Sequence, residues 1–244
     1  GLAIYSNSDI TIRNTSITSD TTHNNHGGGI YIEGGELRLH NVQVDSNEAK
    51  DYGGGIYVSG ADTLIVTNTT FNHNTTIDNS SRGGGVYLDG SSNNHLITFD
   101  QCRIQYNRTG YYGGGVYINN VAPVFTNVLI TDNVLVNNTS SDRYGGGIYD
   151  ISGSSYIPEF TNVTIANNAA YYGGGYYGSN GNGQFTNCIT YHNTATSNLS
   201  LSGAGSVTYS DIEGGYSGTG NIDSDPMFTD LYGGDYTLSD YSPA

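Results

Sequence analysis

Gly113-Gly114-Gly115-Val116-Tyr117 is one of six copies of a single motif. The others begin at Gly27, Gly53, Gly83, Gly145 and Gly173, and Gly1-Leu2-Ala3-Ile4-Tyr5 reads as a degraded earlier copy. Successive copies are 26, 30, 30, 32 and 28 residues apart. A recurrence of this length marks a repeat architecture, in which each unit buries its apolar face only by stacking on its neighbours.

Working outward from the glycines, each unit carries a second landmark. Ile12-Arg13-Asn14-Thr15-Ser16-Ile17 aligns with Leu39-His40-Asn41-Val42-Gln43-Val44. The same six-residue pattern recurs around Asn68, Gln101, Asn127, Asn162 and Asn187. Three residues beyond it stands a further polar column, formed by Asp20, Asn47, Asn74, Asn107, Asn133, Asn168 and Asn193. Apolar residues alternate with polar ones over short runs broken by Asn and Gly, which is the period of a strand, and no stretch has the 3.6-residue period of a helix. The expected fold is therefore all-β: a right-handed parallel β-helix of about seven coils with three short strands per coil. At about 4.8 Å between paired strands, such a rod is roughly 35 Å long.

The columns assign roles. Asn14, Asn41, Asn68, Gln101, Asn127, Asn162 and Asn187 are expected to stack as a buried amide ladder, since a buried amide without partners is costly. Phe99, Phe125, Phe160 and Phe185 should face the core. Cys102 and Cys188 share one inward column three coils apart, about 14 Å at the strand spacing. That is beyond the roughly 7 Å a disulfide allows, so two free buried thiols are expected. Residues 1–206 form the coils, and 207–244 a last strand and cap of the same domain. Pro226, Met227 and Phe228 are expected to plug the core end, where bare strand edges would otherwise lie open.

Composition narrows the function. The 244 residues contain 7 Lys and Arg against 22 Asp and Glu, a net charge of −15. Nucleic acid and anionic membrane surfaces both require basic residues, so neither is an expected partner. No apolar run reaches the roughly 18 residues of a membrane-spanning helix, so membrane insertion by this segment is not expected. The chain opens inside a repeat, as a mature or excised piece of a longer exported protein would. Asn-x-Ser/Thr sequons are dense, at Asn14, Asn68, Asn74, Asn79, Asn107, Asn137, Asn138, Asn162 and Asn198.

The run from Ile165 through Asn168, Ala169 and Gly173 to Tyr177 resembles the repeats of polymorphic outer-membrane proteins and related bacterial surface β-helix proteins. The ending Gly220-Asn221-Ile222-Asp223-Ser224-Asp225-Pro226-Met227-Phe228, with Gly234-Asp235-Tyr236, looks like the cap of large secreted proteins with right-handed β-helix repeats. The resemblance covers nearly the whole chain. It implies export and an extracellular or cell-surface location. The fold it implies is shared with pectate lyases, but a fold does not carry an activity by itself.

Four kinds of chemistry have candidate residues in the chain. A polysaccharide lyase would use an Arg with an acidic calcium cluster; Arg82 and Arg143 both precede glycine triplets, but no row of Asp accompanies them. A hydrolase would use paired carboxylates about 5–10 Å apart. Glu33, Asp89 and Asp150 follow the motif tyrosines but not on consecutive coils, and no catalytic set emerges. Calcium has a candidate place near Asp223 and Asp225, whose hard oxygens suit it; the six histidines, His23, His26, His40, His73, His95 and His192, have no zinc spacing.

The most concrete binding feature is aromatic. Tyr57, Tyr87, Tyr117, Tyr149 and Tyr177 share one column; Ile56, Val86, Val116 and Ile148 precede the first four and should point inward, so the tyrosines should point outward. Tyr52, Tyr112, Tyr144 and Tyr172 precede the glycines. Two tyrosine rows flanking bare glycine would make either a flat exposed strip on which sugar rings stack or a tyrosine ladder that stabilises the sheet by stacking from coil to coil. The leading expectation is a stalk, adhesin or scaffold that contacts glycans or surface and matrix proteins. Alternatives are a polysaccharide-active lyase or hydrolase, and a filament whose molecules associate end to end.

Overall fold

The computed structural model describes residues 1–6, 8–22, 25–90, 95–136, 142–197 and 200–244. His23, Asn137, Asn138 and Asn198 lie outside the described residues. The chain is an all-β parallel solenoid with no helix among the described residues. One wall is an eight-stranded parallel sheet running from Leu2–Tyr5 through Ile30–Glu33, Ile56–Ser59, Val86–Asp89, Val116–Asn119, Ile148–Asp150 and Tyr176–Gly178 to Leu201–Ser202. A 14-stranded sheet supplies the next two walls, bent at each Asn14-type position. A five-stranded sheet of two-residue pieces, Thr21–Thr22 to Val134–Leu135, closes the section before the glycines. This last wall is a fourth strand beyond the three expected per coil.

Register is in step from coil to coil, with one shift at Gly183–Gln184 near the carboxyl end: Ile30 pairs Ile56, Val86 pairs Val116, and Phe99 pairs Phe125. Like therefore stacks on like. Phe99, Phe125, Phe160 and Phe185 form a continuous buried stack with ring centroids 4.9, 5.3 and 4.5 Å apart. Such pairs add about 0.5–1.5 kcal/mol each beyond area burial.

Each coil turns through left-handed corners. The first glycine of a triplet is one, with φ of 64° at Gly113, a conformation that suits glycine. Asn14, Asn41, Asn68, Gln101, Asn127, Asn162 and Asn187 occupy another, with φ of 47–55°, and Asn is the non-glycine residue that best tolerates it. These amides are exposed, which corrects the expectation of a buried ladder. They still link coil to coil: Asn41 donates to Asn14, Asn68 to Asn41, Asn162 to Asn127 and Asn187 to Asn162 at 2.6–3.3 Å. At Gln101 the run is interrupted, and Asn127 donates to the Asp100 carboxylate at 3.0 Å instead.

The buried ladder is the other polar column. Asn47, Asn74, Asn107, Asn133 and Asn168 each donate their Nδ2 at 2.9–3.1 Å to the Oδ1 of the next member, ending on Asn193. The same Oδ1 also accepts the donor's own backbone N–H at 2.9–3.0 Å. The second Nδ2 proton goes to a core-strand carbonyl of the preceding coil, Phe71 O in the case of Asn107. All members are at most 4% exposed, and their amide donors and acceptors are satisfied, as burial requires. A Cβ on the third glycine of each triplet would stand 2.8–3.1 Å from a ladder Nδ2, as Gly115 would from Asn133. A Cβ on the middle glycine would collide with the backbone carbonyl of the next coil's middle glycine, Gly114 with Gly146 for example. The triplet and the ladder are one device.

The carboxyl end departs from expectation. Tyr216 packs on the end of the core and donates to Ala204 O at 2.7 Å. Pro226 is buried, but Met227 is 42% exposed. Residues Phe228–Asp230 and Asp235–Leu238 form an antiparallel hairpin that runs back along the solenoid's side, where Tyr236 donates to Asp132 at 2.8 Å. The segment straps a flank because Phe228 and Tyr236 pack on each other there rather than over the open rung.

Asn107→Ala should lower unfolding stability by on the order of 3 kcal/mol, since it orphans a backbone N–H, an amide and a carbonyl at once. Asn127→Gly, at the exposed corner, should change it by less than about 1 kcal/mol. Denaturant unfolding of the two variants beside the parent chain checks the contrast.

Candidate functional site

The tyrosines do not form the flat exposed strip expected. They make two layers. The inner row, Tyr31 to Tyr177, stands on the outer face of the first wall with parallel rings at its start: Tyr31–Tyr57, Tyr57–Tyr87 and Tyr87–Tyr117 are 5.2, 5.0 and 4.8 Å apart. The outer row, held by isolated bridges linking His26, Tyr52, Arg82, Tyr112, Tyr144 and Tyr172, lies over it. Each outer ring covers the inner ring one coil further on: His26 over Tyr57, Tyr52 over Tyr87, Tyr112 over Tyr149 and Tyr144 over Tyr177, at 4.6–5.0 Å. Tyr87, Tyr117 and Tyr149 are consequently 4, 0 and 9% exposed, while Tyr52, Tyr57, Tyr112, Tyr144, Tyr172 and Tyr177 remain half-buried. Alternation had fixed which side of the strand the inner row takes, and the outer row then removed it from solvent.

Arg82 takes a ring's place in the outer row. Its guanidinium carbon lies 5.4, 5.7 and 5.3 Å from the ring centres of Tyr52, Tyr112 and Tyr117, within cation–π range. Nη1 donates to the Tyr117 hydroxyl at 3.2 Å. Burial works against its charge, but the tyrosine oxygens around it, Tyr117 first, hold its pKa above the ordinary arginine value. Burial raises the tyrosine hydroxyls, Tyr117 to about 12, so these hydroxyls stay un-ionised at neutral pH. Arg143 stacks on Tyr111 at 4.5 Å on the same edge.

The carboxylates singled out do not converge. Glu33 accepts from the Tyr31 hydroxyl at 2.8 Å and Asp89 accepts from Asn119 at 2.9 Å, with Ser59 on the coil between them. Asp150 pairs in register with Ile118 and so faces the core. There it is 1% exposed and accepts from Ser152 N and the Tyr176 hydroxyl, both at 2.9 Å. The swap is accommodated locally: Tyr176 fills an Ile and Val column, and Gly178 leaves room for its hydroxyl end. Burial raises the Asp150 pKa.

Near the cap, Asp223 accepts from Gly214 N at 3.2 Å and Asp225 from Met227 N at 2.9 Å. Both carboxylates thus accept from backbone N–H groups, and no group of three His, Cys, Asp or Glu side chains able to hold a metal ion occurs among the described residues. Cys102 and Cys188 are free and buried. Desolvation pushes their thiols up to about 12 and about 11. Of the sequons, Asn74 and Asn107 are buried in the ladder, which closes them to modification in the folded chain.

A family model described as right handed beta helix region matches residues 1–169. No curated protein and no solved structure matches the chain.

Two outcomes follow from the buried groups. Thiol-specific reagents should leave Cys102 and Cys188 unmodified in the folded chain and label both after denaturation, because the attacking species is the thiolate. The folded pKa of Asp150 lies above the unfolded value of about 3.9. Its favourable contribution is therefore present below that value and is lost as pH rises through the folded pKa. Asp150→Asn should thus gain stability relative to the parent chain as pH goes from about 4 to about 8, read as the difference in unfolding midpoints.

Proposed function

We propose, for a chain that belongs to the right-handed β-helix family, an exported, cell-surface or extracellular role as a stalk, adhesin or scaffold that contacts glycans through its outer tyrosine row. The observation that carries this reading is the two-layered aromatic wall. Its inner rings are held by the sheet, and its outer rings are held by the inner ones. Half-buried tyrosines in a fixed row offer flat faces for sugar C–H groups and hydroxyls for hydrogen bonds, with little left to order on binding. Surface and matrix proteins bearing such glycans are the partners this wall fits. The net charge of −15 supports an aqueous exterior setting over nucleic acid or an anionic membrane.

A glycan-array screen of the parent chain beside Tyr112→Ala and Tyr144→Ala tests the reading. Retained folding with binding weakened about tenfold or more in each variant is the expected result. Unchanged binding in both variants, or release of sugar fragments during incubation, would overturn it.

A further inference from the structure

The outer row contains one position that aromatic packing does not explain. Every ring-covering site from His26 to Tyr144 is aromatic except Arg82, although Tyr52 and Tyr112 on either side show that a tyrosine fits there. The chain carries 22 acidic residues, yet Arg82 forms no ion pair among the described residues. Its only side-chain hydrogen bond there is to the Tyr117 hydroxyl, and its Nε is buried without an acceptor. Asp89 lies within electrostatic reach but spends its carboxylate on Asn119. A half-buried guanidinium without a direct counter-ion is costly, and its forked donors match planar oxyanions.

The geometry points to Arg82 as an anion-reading subsite within the tyrosine wall, one that takes the carboxylate or sulfate group of an acidic sugar while the neighbouring rings hold the sugar's face. The inference rests on the glycan reading above and adds a ligand class to it. Tyr52 and Tyr112 flank the guanidinium and supply the stacking surfaces, and Nη2, which makes no hydrogen bond among the described residues, is the donor for the oxyanion. Arg143 lies two coils along the same edge, about 10 Å at the strand spacing. A chain of acidic sugars laid along the wall would meet both cations. The net charge of −15 then acts as a filter, disfavouring a polyanion over most of the remaining surface.

The test is titration of three oligosaccharides of equal length, one uronic, one sulfated and one neutral, into the folded chain, followed by calorimetry or by tyrosine emission, which the absence of tryptophan makes readable. At least one acidic ligand should bind about tenfold tighter than the neutral one, and which one identifies the oxyanion read. Arg82→Gln should erase that margin and Arg82→Lys keep part of it. Arg82→Tyr, which completes the ring row, should preserve folding and still lose the margin. Equal affinity for acidic and neutral ligands, or a margin that survives both Arg82→Gln and Arg82→Tyr, would overturn the inference. If Tyr144→Ala abolishes all binding and the Arg82 variants change nothing, the glycan reading stands and the anion subsite falls. If Arg82→Gln abolishes binding and Tyr144→Ala does not, the subsite stands and the tyrosine row falls. Absence of binding by all three ligands overturns both.

Discussion

The rest of the structure depends on the close approach between each glycine triplet and a buried asparagine. The amide nitrogen of Asn133 sits 2.9 Å from where a Cβ on Gly115 would be, and the same close approach, 2.8–3.1 Å, holds at every coil from Gly29 to Gly175. Without the glycines the ladder has no space. Without the ladder, the backbone N–H at the corner and the core-strand carbonyl opposite lose their partners. Because both parts repeat in register, every coil holds the next by the same contacts, and stability accumulates along the axis one interface at a time.

That regular backbone is what lets side chains form columns. Inside the solenoid the columns are aliphatic and phenylalanine stacks; outside the first wall they are tyrosine stacks. The same in-register pairing that places Phe99 on Phe125 places Tyr87 on Tyr117. A wall built this way is stiff, since each ring is held above, below and from behind. Stiffness suits recognition of extended ligands, and it makes the identity of any odd member informative. Arg82 is that member: it replaces a ring in a row where rings fit.

Two departures from the pattern inside the core are compensated by local hydrogen bonds. Asp150 enters an aliphatic column, but Tyr176, Ser152 and the missing side chain of Gly178 give its carboxylate partners and room. Cys188 is followed in its column by Ser210, whose hydroxyl accepts from Cys188 N at 3.0 Å as the sheet reaches its last rung. The solenoid thus ends by exchanging apolar stacking for local hydrogen bonds, with Tyr216 laid over the remaining core.

The repeat spacing, the strand period and the inward columns were legible in the sequence, because a solenoid's contacts are between equivalent positions and an internal alignment lists them. The free cysteines followed from the same arithmetic. The role of each asparagine column was not legible. Asn127 and Asn133 are the same residue type six positions apart, and only backbone torsion makes one an exposed left-handed corner and the other a buried ladder rung. Nor could alternation show that Tyr117 is buried, since it fixes the face of one strand and not what covers that face; the covering ring comes from another wall. The inward turn of Asp150 and the flanking course of the carboxyl-terminal hairpin were likewise decided by tertiary packing, where a single-residue offset or a local aromatic contact outweighs the pattern. Sequence determined what repeats, because repetition is periodic and local. Structure decided what is buried, because burial depends on neighbours that the periodicity of one strand does not encode.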